Sequence, residues 1–155
     1  MILRVTKHQG KPHIILYKRD DGTETWMHAD DYFVRHDLSH YAIEKMLNYK
    51  TAFMGMLNQG MNIRDFENRE KRGRIRVTDE AWYAENMANL FLIEIAQGRF
   101  ADFNRTAQDA FGEMNLDIAP PSLNQNVISD IRDYLEKLIA RWEALSPEEQ
   151  ITLEF

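Results

Sequence analysis

Apolar residues in this 155-residue chain sit in short β-rich runs near its start, alternate over its last five positions and recur at every third or fourth position in between. That change of period limits the fold more than any other feature, because a period of two marks a strand with one covered face and a period near 3.6 marks a helix. Ile2 to Lys7 is a short β-rich run broken by Gln9-Gly10-Lys11-Pro12. His13 to Lys18 is apolar and β-branched, the pattern of a central strand. Asp21-Gly22 predicts a two-residue hairpin with a type I′ turn, since glycine accepts the positive φ that turn demands. Glu24 to His28 would be the returning strand. At the other end, Ile151-Thr152-Leu153-Glu154-Phe155 alternates as a half-buried strand and is expected to join the N-terminal meander as a fourth.

Between these ends the period predicts helices over Asp37 to Asn48 and over Thr51 to Gln59, the second stopped by Gly60. Asn62 to Val77 is charged and reads as loop with one helical turn. Thr78 offers a hydroxyl N-cap, and Asp79 and Glu80 then face the positive end of the helix dipole; that helix should run to about Gln97, with Gly98 ending it. Ala101 to Met114 forms another. In the last helix Ile128, Ile131, Leu135, Leu138, Trp142 and Leu145 draw one apolar stripe. The predicted class is α+β: a small antiparallel sheet, built from a three-stranded N-terminal meander plus a C-terminal strand, packed against about five helices. Residues 1–155 are expected to form a single domain.

The chain has no cysteine, which excludes disulfides, thiolate metal sites and cysteine nucleophiles and fits a reducing cytoplasm. No apolar run approaches the roughly 20 residues of a membrane span, and no basic-then-apolar leader opens the chain, so a membrane is not an expected partner. Residues 1–77 carry 14 Lys/Arg and 10 Asp/Glu and residues 78–155 carry 5 and 15, balances of +4 and −10 within the net −6. Two halves that attract each other explain this split more simply than an acidic partner does. Lys71-Arg72-Gly73-Arg74-Ile75-Arg76 could hold a phosphate backbone. Flanking acids, the absence of interleaved aromatics and a pI near 5.4 argue against nucleic acid. No phosphate loop, nucleophile elbow or dinucleotide fingerprint is present.

One constellation carries chemistry. His36, His40 and Glu44 are spaced by four, so a continuous helix stacks them along one edge. On a helical wheel they fall at the shoulder of an apolar arc formed by Leu38, Ala42, Ile43, Met46 and Leu47. Two imidazoles and a carboxylate suit a divalent metal such as zinc, with water completing the shell. Asp37 occupies the place where His-Glu-x-x-His helices carry the acid that polarises the attacking water, one methylene shorter. Candidate ligands from elsewhere are His28, Glu85 and Glu94. Glu94 lies among Leu90, Ile93 and Ile95, where a carboxylate is costly to bury alone, and with Asp37 it is the candidate for handling protons. The bland alternative makes Asp37 an N-cap, leaves His36 outside the helix and lets the group merely fasten it. The methionines Met46, Met54, Met56 and Met61 either fill an irregular core or line an adaptable pocket.

The run His36-Asp37-Leu38-Ser39-His40 through Glu44, followed by Ala52-Phe53-Met54-Gly55-Met56 and Gly60, resembles an uncharacterised family of small bacterial α+β proteins. In that family a His-Asp-Leu-x-His-x-x-x-Glu helix precedes a Phe-x-Gly-x-x-x-x-Gly stretch. The likeness covers roughly residues 36–60, with a similar alternating C-terminal strand. It implies a shape and carries no established activity. Two classes of function follow from the residues: a metal-dependent enzyme of hydrolase type, or a non-catalytic scaffold, homodimeric through a sheet edge or the last helix.

Overall fold

The computed structural model describes residues 1–67, 77–114 and 118–155; the basic run Lys71 to Arg76 lies outside the described residues. Strands β1 (Ile2–Thr6), β2 (His13–Lys18), β3 (Glu24–Ala29) and β4 (Gln150–Glu154) form one antiparallel sheet in the order β3-β2-β1-β4. The chain is α+β, with the C-terminal strand closing on the meander as its alternation predicts. Register follows from burying one face of each strand. Leu3 stands opposite Tyr17 and Leu153, and Tyr17 opposite Thr25; Val5 stands opposite Ile15 and Ile151, and Ile15 opposite Met27. These two rows make the inner face of the sheet.

The β2–β3 turn differs from the two-residue I′ form. Gly22 has φ +85°, but Asp21 is not left-handed, and Arg19 pairs with Thr23 across the loop (N to O, 2.8 Å). The loop therefore has three residues, a type I turn closed by a glycine bulge. Asp21 favours this form because its Oδ1 accepts from both Thr23 N (2.9 Å) and Thr23 Oγ1 (2.6 Å).

Six helices lie among the described residues: α1 (Asp31–Met46), α2 (Phe53–Asn58), α3 (Ile63–Glu67), α4 (Asp79–Gln97), α5 (Phe103–Gly112) and α6 (Gln125–Glu143). The first begins at Asp31 rather than Asp37. Asp30 is its N-cap, accepting from Phe33 N at 3.0 Å. His36 is thus well inside the helix, and the row of three is intact.

Helix α1 packs on β2 and β3 and also against α4 and α6, so residues 37–44 are buried without a break. The helical wheel puts His36, His40 and Glu44 only at the shoulder of the apolar arc. Instead Asp37, Ser39, His40 and Glu44 are enclosed and each needs a hydrogen-bonding partner. Helix α2 approaches the chain before it so closely that a Cβ on Gly55 would lie 2.0 Å from the Lys50 carbonyl oxygen; only glycine fits. The charge split closes partly on itself. Arg35 meets Glu143 at 2.9 Å and Lys11 meets Glu148 at 3.6 Å, while Lys7 Nζ donates to the carbonyls of Trp142 and Glu143 at the end of α6 (3.2 and 3.0 Å). Among the described residues, no helix is long and apolar enough to cross a membrane.

Candidate metal centre

The edge of α1 that carries His36 and His40 faces Glu85, which α4 presents from across the interface. His36 Nε2 lies 3.4 Å from Glu85 Oε1, and His40 Nε2 lies 3.1 Å from Glu85 Oε2. One donor atom from each of the three residues falls within 4.8 Å of the others. Ligands on one tetrahedral zinc, at bond lengths near 2.0–2.1 Å, sit roughly 3.3 Å apart, so this spacing suits a shared ion.

Glu44 has a different place from the one its spacing suggested. Its side chain is fully buried; Oε1 lies 3.0 Å from His40 Nδ1, and Oε2 accepts from Met54 N at 2.9 Å. With Nδ1 donating to this carboxylate, Nε2 is the nitrogen that His40 offers to Glu85 and the cavity, the arrangement by which an outer carboxylate orients a metal-binding imidazole. Glu44 stands behind His40, and Glu85 is the carboxylate that the histidines meet. The backbone amide that holds Glu44 comes from α2, at the turn of chain that Gly55 permits.

The electrostatics follow. Burial alone would drive the His40 imidazole toward neutrality, but the carboxylates of Glu44 and Glu85 outweigh it and push the pKa up to about 10. His36 is raised as well, with Asp37 and Glu85 overcoming the cost of burial. Hydrogen bonds from both histidines hold Glu85 far below the usual carboxylate range. The cluster carries both signs of charge and is held together by protons on the histidines, which a metal ion could replace.

Asp37 is buried beside them. Its Oδ2 accepts from the Tyr17 hydroxyl, and its Oδ1 lies 3.8 Å from His36 Nδ1. Burial, and then the negative charge of Asp37, raise the Tyr17 phenol well above its ordinary value, so Tyr17 stays a donor. Nothing in the sequence marks Tyr17 beyond its inward position on β2.

These groups form one wall of a cavity of about 730 Å³. Among the described residues, His36, Asp37, His40 and Glu85 are its polar groups, while Met27, Phe33, Phe53, Met56, Phe66 and Trp82 make much of the rest. Of the four methionines singled out from sequence, Met56 lines this cavity, Met54 is core and Met46 is 41% exposed.

The remaining sequence candidates lie elsewhere. His28 is exposed on the outer face of β3, edge-on to Trp26. Glu94 does not line the cavity. It is bound to Arg132 of α6 through Nε (2.7 Å) and Nη2 (2.6 Å) and accepts from Phe100 N at 2.9 Å. The partner demanded by its burial is therefore a guanidinium. Comparison of the chain with protein-family models, curated proteins and solved structures finds no match.

Proposed function

We propose that the protein binds a divalent metal ion, zinc first among candidates, through His36 Nε2, His40 Nε2 and Glu85, and uses it for hydrolysis of a small molecule held in the adjoining cavity. The observation that carries this reading is the convergence of two imidazole nitrogens and a carboxylate on the polar wall of a cavity of about 730 Å³. A bound ion in such a site supplies a water with pKa near 7 and polarises a substrate carbonyl. Asp37 faces the same space, and its carboxylate, steadied by Tyr17, is the group assigned to move the proton. Glu44 is a positioning residue acting through His40.

Elemental analysis and zinc titration of protein purified without an affinity tag test this directly. One equivalent of zinc is expected in the wild type. Glu85→Gln should lose it without unfolding, because the Glu85 side chain is 49% exposed. Glu44→Gln should weaken zinc binding about 10–100-fold, the usual cost of losing an outer partner. Substoichiometric metal that survives both Glu85→Gln and His40→Ala would overturn the assignment.

A second reading has one observation in its favour: His40 touches both Glu44 and Glu85 and so ties α1 to α4. In it the group is a fastener in a non-catalytic protein. Wild type would then bind no zinc, while His40→Ala would cost roughly 3 kcal/mol by leaving a buried carboxylate unpaired.

A further inference from the structure

We infer that the ligand of this site is a largely apolar acyl compound with a single oxygen-bearing head, its head at His36, His40 and Glu85 and its body in the cavity. This rests on the metal reading for the head, and on the cavity alone for the body. The volume of about 730 Å³ lies in the range of about 300–1,000 Å³ that holds small organic ligands. Among the described residues its charged groups gather where α1 meets α4. Among the described residues no Lys, Arg, Asn, Gln, Ser or Thr lines it, so beyond the head site these residues offer few partners to the hydroxyls of a sugar or the phosphates of a nucleotide. Among the described residues the charged groups there are His36, His40, Asp37 and Glu85, whose opposite charges offset one another and leave no surplus of cations to hold a polyanion.

The apolar lining also continues outward. Phe33 and Val77 line the cavity yet are 47% and 40% exposed, so greasy surface runs from solvent to the interior, along the path an apolar body would take. Met27 and Met56 add unbranched, flexible walls that adapt to chains of different shape. Polar groups gathered beside an adaptable apolar lining suit an acyl chain better than a compact polar metabolite.

A series of straight-chain hydroxamates tests the inference, because the hydroxamate head ligates zinc and the chain probes the chamber. On zinc-loaded protein, affinity should rise about fourfold per added methylene until the chamber is filled. Phe33→Asp, at the exposed mouth, should weaken decanohydroxamate binding at least tenfold and leave acetohydroxamate unchanged. Metal-free protein should enhance the fluorescence of N-phenyl-1-naphthylamine, with 1-decanol displacing it. Stoichiometric zinc binding with no dependence on chain length overturns the inference and leaves the metal centre standing. Absence of zinc binding overturns the position of the head together with the proposed function, and the naphthylamine arm then reports the chamber by itself. Tighter binding of pyrophosphate than of decanohydroxamate would replace the acyl compound with a phosphorylated one.

Discussion

Glu85 and Glu94 stand nine positions apart on α4, about 13.5 Å along the axis and half a turn round it, and both are paired with cations. Glu94 has a fixed partner. Arg132 grips both its oxygens, Phe100 N takes a further share, and only 3% of the Glu94 side chain is exposed. The guanidinium keeps its charge at every accessible pH, so nothing there can be exchanged. Glu85 is half-exposed and meets two imidazoles beside a cavity of about 730 Å³. Imidazoles give up their protons, and the space beside them can admit a ligand. The two sites have similar formal charge, and what separates them chemically is a removable proton and a void.

The largest effect should come from breaking the closed pair. Glu94→Ala leaves the Arg132 guanidinium, 14% exposed, without its carboxylate and should cost about 3–5 kcal/mol in denaturant unfolding. Zinc affinity should not change. A matched apolar replacement, Glu94→Leu with Arg132→Met, should recover most of the loss, because such pairs contribute little net stability. If Glu94→Ala abolished zinc binding in protein that remained folded, the separation of the two sites would fail.

Next in size is Gly55→Ala. The new methyl would meet the Lys50 carbonyl at 2.0 Å, and the backbone shift that relieves the clash should cost about 2–3 kcal/mol. The same shift draws Met54 N away from Glu44, so zinc affinity should fall too. That couples the open site to a backbone contact on α2, which the closed pair never touches.

Acidity separates the two sites in a third way. In metal-free protein His40 holds its proton up to about pH 10, against about 6.5 in an unfolded chain. Its folded-state pKa is raised, so its contribution is complete below about pH 6.5 and is lost as pH climbs through 10. Urea midpoints of the metal-free protein should fall over that interval. In His40→Gln the slope should shrink to the share that His36 holds through Asp37 and Glu85, and in Glu94→Ala it should persist in full. Zinc competes with the same proton, so zinc affinity should rise with pH over the interval where stability falls.

How much of this was legible in the sequence depended on whether local pattern or tertiary contact decided it. The sheet and α6 were readable because alternation and a 3–4 stripe follow directly from burying one face. The start of α1 was not: Tyr32 and Phe33 are 56% and 47% exposed, so its first turn shows no inward apolar pattern, and only the Asp30 cap marks it. The wheel marks only a shoulder at His36, His40 and Glu44, whereas helices cover α1 past the end of the apolar arc and bury residues 37–44. His36 and His40 were legible as neighbours one turn apart. Glu85 could only be one candidate among several, since the helix that brings it there is distant in sequence. Glu44 shares the edge of the histidines, but a backbone amide of α2 claims it, and Arg132 claims Glu94. No spacing rule records either partner.

The smallest effect should be at a third carboxylate of the same helix. Glu80 Oε2, in the first turn of α4, accepts from Lys50 N (2.8 Å), Thr51 N (2.6 Å) and Thr51 Oγ1 (2.7 Å). Although burial opposes ionisation, these donors hold its pKa below the ordinary value. A depressed carboxylate stabilises above its unfolded pKa of about 4.3 and loses that contribution as pH drops through the folded value. Glu80→Gln keeps one acceptor oxygen and loses the charge, so it should cost only about 0.5–1 kcal/mol at pH 7, with the deficit closing in acid. Glu80 has neither a buried guanidinium like Glu94 nor an adjoining cavity like Glu85, so zinc affinity should be untouched and the loss should stay near that of a single loop anchor. A cost above that of Gly55→Ala would mean that the 47–52 connection, and not the closed pair, dominates the stability of α4.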